Sequence, residues 1–415
     1  MEENNSIPDG WHLKQVVEFA SKIQSGGTPK SDNLEYYNGE IPFVAIDDLS
    51  KSNKYISKTQ KKITNKGLLN SSAWLVPKYS LLYSIYATLG VPRINLIEVA
   101  TNQAILNIIP KKKIISLEFL YYLLLEKRNT ILSHSAHTTQ SNLNAKVVKE
   151  LEFVFPKSTI EQNKIAEILS KIDEAISETK IIITKYNRIK TGLIQDLLTK
   201  GIDDKGNIRS EETHEFKDSP LGRIPKEWDC LELRKCIELH NNKRKPISAL
   251  VRAKMIGEFP YYGATGIIDN INIYNVEGEF VLFGEDGDHF LKWKNQEQTI
   301  LVNGKFNVSN HAHIVKGNHI CSTKWLHYFY FHRDITFHLT RQGAGRFKLN
   351  KESLSSLPIL VPRDINEQIK IIDKIEYLNN FINLYKIQNE KLQANKTGLM
   401  KDLLSGKKRV THLIN

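Results

Sequence analysis

The chain has 415 residues, 40% of them apolar, and carries 58 Lys and Arg against 46 Asp and Glu, for a net charge of +12 at pH 7. That length allows two or three domains, and the apolar content fills ordinary cores, which excludes a disordered chain. The positive excess favours a polyanionic partner such as nucleic acid.

After a polar, acidic start, Asp9-Gly10-Trp11 leads into a first module that ends near Pro156. Its β-branched and aromatic runs at 41–46, 80–85 and 103–109 read as strands of a mixed sheet. Residues 116–132 read as a helix capped by Ser116, with Leu120, Leu123, Leu124 and Leu125 on its apolar side. A polar turn over 134–142 and a strand into Val154-Phe155 follow. From Pro156 a long helix begins, on which Ile165, Leu169, Ile172, Ile176, Ile183 and Tyr186, then Leu193 and Leu197, recur at spacings of three, four and seven. That is the seam of a coiled coil.

Gly201 opens a linker whose Asp203, Asp204, Gly206 and Asn207 are turn formers, and whose 219–225 stretch, with prolines at both ends, reads as extended chain. Trp228 then restarts the pattern of Trp11. The second module runs to Pro362 and feeds a second long helix with Ile371, Ile375, Leu378, Ile382, Tyr385 and Leu392, then Leu399 and Leu403, on the same register. Pro156, Glu161-Gln162 and Thr191-Gly192-Leu193 recur 206 residues later as Pro362, Glu367-Gln368 and Thr397-Gly398-Leu399. Inside the modules Thr101-Asn102-Gln103-Ala104 resembles Ser309-Asn310-His311-Ala312. A helix of this length spans roughly 60 Å at about 1.5 Å per residue and needs a surface to bury its stripe, for which its own repeat is the nearest candidate. Asn389 and Lys396, with Lys190 matching the latter, are polar seam positions of the kind that fix register.

The expected fold class is therefore α+β: two similar modules of mixed sheet plus helices, each followed by a long helix, the two helices pairing as an antiparallel coiled coil. The expected boundaries are 1–156 for the first module, 157–202 for its helical spacer, 203–225 for the linker, 226–362 for the second module, 363–408 for the second spacer and 409–415 for a tail. Cys230, Cys236 and Cys321 have no CxxC spacing, so neither a zinc site nor a disulfide framework is indicated. Without a basic, apolar leader or a bilayer-length apolar run, a soluble cytoplasmic protein with no membrane association is expected.

Catalytic motifs are missing. No Gly-x-x-x-x-Gly-Lys-Ser/Thr loop is present, nor a Gly-x-Ser-x-Gly elbow, and the Pro-Pro pair of a base-methyltransferase box does not occur. Gly284-Glu285-Asp286-Gly287-Asp288, followed by Lys292 and Lys294, can be drawn as a metal-dependent nuclease site using Asp286 and Asp288, or as a Gly/Asp turn after the strand at 280–283; the turn is favoured. Recognition chemistry has more material. A glycine-rich loop with Gly27, Thr28, Lys30 and Ser31 suits phosphate contact, and Lys58, Lys61 and Lys62 add charge. His137, Thr138, Gln140 and Asn142 can donate and accept toward base edges. In the second module Tyr262, Thr265, Arg341, Gln342, Arg346 and Lys348 offer the same mixture.

With these residues in view, the chain resembles the specificity subunit of a type I restriction-modification system. The likeness rests on the Gly26-Gly27-Thr28-Pro29 loop, the Glu161-Gln162 and Glu367-Gln368 helix starts, the paired Thr-Gly-Leu endings, the 219–228 linker and the Tyr261-Tyr262-Gly263-Ala264-Thr265-Gly266 text. It implies a non-catalytic subunit whose two target-recognition domains each read half of a bipartite, asymmetric double-stranded DNA sequence. The resemblance further implies two methyltransferase subunits docked on the helices and translocating restriction subunits joining them. This chain would carry no cofactor, and S-adenosylmethionine, ATP and Mg²⁺ would belong to the partners. Alternatives are the nuclease above, the recognition partner of a fused type II-like enzyme, and a coiled-coil scaffold that binds only proteins.

Overall fold

The computed structural model describes residues 7–86, 89–136, 145–342 and 346–414. It divides into two compact units, one of residues 1–181 with 386–415 and one of residues 182–385. Each unit takes half of each long helix.

In the first unit the strands are β1 (Trp11–Gln15), β2 (Ala20–Ser25), β3 (Tyr37–Val44), β4 (Tyr55–Ile56), β5 (Lys61–Ile63), β6 (Leu81–Ser84), β7 (Pro92–Asn95), β8 (Ala100–Thr101), β9 (Ile105–Pro110) and β10 (Glu152–Pro156). A mixed sheet has the order β2-β9-β6-β7-β4, a smaller one the order β5-β3-β8, and β1 closes antiparallel on β10. Strand β9 reads Ile-Leu-Asn-Ile-Ile without alternation because both of its faces are covered. Its one polar side chain, Asn107, is buried and bonded to Thr101 and to Gln24 O. A helix, Leu117–Ala136, lays Phe119, Leu120, Leu123 and Leu124 on this sheet, in one core with Phe19, Phe155, Ile165 and Leu169.

The second unit repeats the plan. Its strands are β11 (Phe216–Ser219), β12 (Gly222–Pro225), β13 (Trp228–Glu232), β14 (Ile237–Leu239), β15 (Ile256–Tyr262), β16 (Ile267–Ile271), β17 (Val276–Gly284), β18 (Thr299–Val308), β19 (Ala312–Gly317), β20 (Thr340–Gln342), β21 (Arg346–Lys348) and β22 (Pro358–Pro362). The main sheet runs β14-β19-β17-β18-β15-β16, and β13 closes on β22 as β1 does on β10. The linker is more ordered than extended chain. Strands β11 and β12 form a hairpin because Pro220 and Gly222 sit at the second and fourth positions of its turn, Gly222 with φ +100°.

Both long helices are continuous, Thr159–Lys200 and Ile365–Leu404. Within the first unit, the start of the first helix lies against the end of the second: Arg409 forks onto Glu161 at 2.7 and 2.8 Å, and Lys396 pairs with Asp173 at 2.6 Å. Within the second unit the roles reverse. Arg209 forks onto buried Glu367 at 2.5 and 3.2 Å, Trp228 Nε1 donates to the same carboxylate at 3.2 Å, and the rings of Tyr186 and Phe381 lie 4.6 Å apart. The helices therefore pair antiparallel.

Burial along the stripe is uneven. Ile165, Leu169, Ile371 and Ile375 are fully buried, and they belong to the module cores as much as to the helix pair. Ile176 and Ile382 are buried farther along, while Ile172, Ile183, Tyr186, Leu378, Tyr385 and Leu392 are half-buried. Thr179, which the apolar pattern passes over, is buried and returns its hydroxyl to Ala175 O. Asn389 Oδ1 is enclosed with no hydrogen-bond partner among the described residues.

The joint between module and helix repeats side chain by side chain. Gln162 accepts from Ser116 N and donates to Ile114 O and Pro156 O. Gln368 accepts from Ser322 N and donates to Ile320 O and Pro362 O, each partner 206 residues along.

Candidate nucleic-acid interface

In each module one sheet end gathers loops from several strands, and the strand register says which residues correspond. Val44 pairs with Thr101 where Tyr262 pairs with Val308, and Ser84 pairs with Ile105 where Gly284 pairs with Ala312. The turn Asn102-Gln103-Ala104 therefore matches Ser309-Asn310-His311, one residue away from the match read in the sequence. Gln103, expected within a strand, lies in this turn ahead of β9.

In the first module the glycine-rich loop packs under that turn. Gly26 N donates to Ile105 O and Gly27 N to Thr101 O, so close that a Cβ on Gly26 would stand 2.0 Å from Thr101 O. Only glycine permits this approach. Exposed Thr28 donates its hydroxyl to exposed Gln103 Oε1. Lys61 and Lys62 are exposed on β5, in the small sheet that holds Thr101, and Lys62 stands 3.9 Å from Glu40. Lys30, Ser31 and Lys58 are also exposed, and no contact among the described residues brings them to the turn. His137, Thr138, Gln140 and Asn142 lie outside the described residues.

In the second module the corresponding edge is organised by Glu285. Its carboxylate takes Arg244 Nη1 at 2.6 Å and Lys348 Nζ at 3.4 Å, with His313 Nε2 at 3.8 Å. His313 is buried, bonds Asn241 and Leu349 O, and burial holds its pKa below the ordinary value. Asp286 is held by His311 at 2.9 Å and faces Lys348 at 3.9 Å. These ion pairs assign the Gly284–Asp288 segment to a turn and charge hub. Its φ of +133° at Gly287 requires glycine, and the carboxylates of Glu285 and Asp286 are taken up by Arg244, Lys348 and His311. Among the described residues no group of three His, Cys, Asp or Glu side chains is placed to hold a metal ion.

Around this hub stand several of the predicted residues. Tyr262 ends β15 with its ring edge-on to Phe306, and Thr265 is exposed in the following hairpin, whose Ala264 O would meet a Cβ on Gly284 at 2.7 Å. Arg341 is exposed with its guanidinium over the Phe347 ring at 4.8 Å, on the β20–β21 hairpin that also carries Lys348. The side chains of Gln342 and Arg346 lie outside the described set. Lys292 and Lys294 are exposed beyond the hub, Lys294 over the Trp293 ring at 5.2 Å. Sequence reading gave no site role to Gln103, Arg244 or His311, and placed Glu285 only within the Gly284–Asp288 turn. Arg244 carried a signal as the centre of Lys243-Arg244-Lys245, whereas the others gain meaning only from contacts distant in sequence.

A duplicated α+β frame, two helices that clasp each other at both ends, and a differently furnished loop edge on each module define a class of two-domain recognition subunit. The family model described as "Type I restriction modification DNA specificity domain" matches residues 8–185 and 225–394, and the chain belongs to that family. It is a non-catalytic DNA-specificity subunit with two recognition domains, of the kind that works in complex with other restriction-modification subunits. The chain is similar to the specificity subunit of type I restriction enzyme MjaIX of Methanocaldococcus jannaschii, with 26% identity over 417 residues, covering 95% of this chain and 90% of that one. Among solved structures, the type I restriction-modification S subunit from M. genitalium matches with a TM-score of 0.61 at 15% identity, covering 97% of this chain and 98% of that one. The HsdS subunit from Thermoanaerobacter tengcongensis matches with a TM-score of 0.51 at 13% identity, covering 98% of this chain and all of that one. No helix among the described residues is long and apolar enough to cross a membrane.

Proposed function

We propose that each module reads one half of a bipartite, asymmetric double-stranded DNA target, residues 1–156 one half and residues 226–362 the other. Two methyltransferase subunits dock on the helical spacers, 157–202 and 363–408, and restriction and translocase subunits join them in the cytoplasm. S-adenosylmethionine, ATP and Mg²⁺ serve those partners. The linker 203–225 and the tail 409–415 close the frame, since Arg209 and Arg409 each end on the first turn of the other helix. The observation that carries this reading is the contrast between a joint whose glutamine hydrogen bonds repeat partner for partner and a loop edge whose turn, Asn102-Gln103-Ala104 against Ser309-Asn310-His311, differs at every position. Two copies of one frame with unlike edges suit the reading of two unlike sequences.

In this reading Gly27, Thr28, Lys30, Ser31, Lys58, Lys61 and Lys62 meet the DNA of the first half-site, and Tyr262, Thr265, Lys292, Lys294, Arg341 and Lys348 that of the second. The test is co-expression with a cognate methyltransferase subunit and mapping of methylated adenines across a genome. One bipartite motif is expected. Weak, salt-sensitive affinity without any motif would instead favour a protein-binding scaffold. Inserting one heptad into both long helices lengthens each by about 10 Å. The expected result is a changed unread spacer with both half-site sequences intact.

A further inference from the structure

We propose that the turn preceding β9 in the first module and β19 in the second is the base-reading element of each, with Gln103 the reader in the first module and His311 in the second. This rests on the reading above and names the specificity-determining side chains within it. Four observations converge. The two turns occupy the same place in the fold, fixed by the Ser84–Ile105 and Gly284–Ala312 pairs. Each turn is anchored from behind by backbone, Asn102 N donating to Val44 O and Ser309 N to Tyr262 O. In each turn an exposed polar side chain is held by a second loop, Gln103 by Thr28 and His311 by Asp286, the latter one position beyond exposed Asn310, the counterpart of Gln103. Basic residues flank both turns, Lys61 and Lys62 on the sheet of the first, Arg244 and Lys348 around the second.

Such a bond on an exposed side chain adds little stability, because water competes for both partners. Its effect is to fix direction. Gln103 Oε1 has two lone pairs, so accepting from Thr28 leaves it one more, and its NH₂ group remains a donor; that is the acceptor-and-donor pair adenine presents a match for at N6 and N7. His311 donates through Nδ1 to Asp286, which leaves Nε2 an acceptor in the neutral ring and suits an exocyclic amino group of adenine or cytosine. The flanking cations then serve phosphates, which position without specifying.

The experiment compares the wild-type complex with Gln103→Ala, His311→Ala and Thr28→Val, each co-expressed with the methyltransferase subunit, by genome-wide mapping of modified sites and by affinity against salt. Gln103→Ala is expected to lose roughly 5- to 150-fold discrimination at one position of one half-site, and His311→Ala to do the same in the other half, with the salt slope unchanged. Thr28→Val keeps the reader and loses its brace, so a smaller loss at the Gln103 position is expected. All three sites are exposed, and thermal unfolding matching wild type checks the fold. An unaltered motif in folded Gln103→Ala and His311→Ala complexes overturns the assignment. So does uniform weakening with a salt slope reduced by about one, which marks a phosphate contact. A wild-type complex with no motif would instead overturn the proposed function itself.

Discussion

The two helix clasps do the same job with different degrees of burial. Glu367 is buried and shared by Arg209, Trp228 Nε1 and Ile202 N, and the Arg209 side chain is only 10% exposed. Glu161 is as well covered, but its partner Arg409 is 32% exposed, and Trp11 Nε1 has no partner among the described residues. The difference follows from what precedes each arginine. Eight residues from Ile202 to Arg209 fold back through the Ile202–Ile208 bridge and carry Arg209 inside, whereas Arg409 follows Gly406 by three residues and stays at the rim. A buried charge that loses its partner is stranded, while an exposed one returns to water.

Breaking the clasps should show this asymmetry first. Glu367→Ala is expected to cost about 3–5 kcal/mol by leaving Arg209 buried without its carboxylate, and Glu161→Ala roughly 1–2 kcal/mol; denaturant unfolding of the full chain measures both. Acid should then separate the units. The buried histidines among the described residues, His289, His313 and His327, all lie in the second unit, and burial lowers each pKa, that of His327 to about 4. A depressed histidine pKa means the unfolded chain takes up protons first. Stability is therefore complete above about pH 6.5 and falls as pH drops toward 4, by about 3 kcal/mol for His327 alone. Half-buried His12 adds a weaker effect of the same sign in the first unit. Hydrogen exchange across that pH range should show the second unit loosening before the first.

The joints should instead behave alike. Gln162→Ala and Gln368→Ala each leave one N–H and two carbonyls without their amide, and each is expected to cost about 2–3 kcal/mol, with the two values agreeing more closely than those of the clasps. The smallest stability effect belongs to Arg341→Ala, within about 0.5 kcal/mol for an exposed residue. Its signature is weaker DNA binding with a salt slope lower by about one if Arg341 meets a phosphate.

The frame was legible because its signals are local or periodic. The seam spacing, the 206-residue offset and the Glu-Gln helix starts require no knowledge of distant contacts, and the Gln162 and Gln368 networks turn out to occupy those starts. The reading edge was legible only in part. Thr28 and Gln103 lie 75 residues apart and Asp286 and His311 lie 25 apart, so neither pair leaves a mark in a local pattern. Gln103 adjoins the apolar run of β9 and reads as strand until the pairing of Ser84 with Ile105 fixes where the strand begins. The same register moves the match of Thr101 from Ser309 to Val308, a slip that similar side chains disguised. Arg209 was passed over in the linker because its partner Glu367 is 158 residues away.

The measurement that bears most directly on the account is an exchange of residues 11–156 for the recognition domain of a different specificity subunit, followed by base-resolved mapping of the sites the complex modifies. The account predicts one new half-site joined to one unchanged half-site. A motif altered in both halves, or in neither, would contradict the assignment of one module to one half of the target.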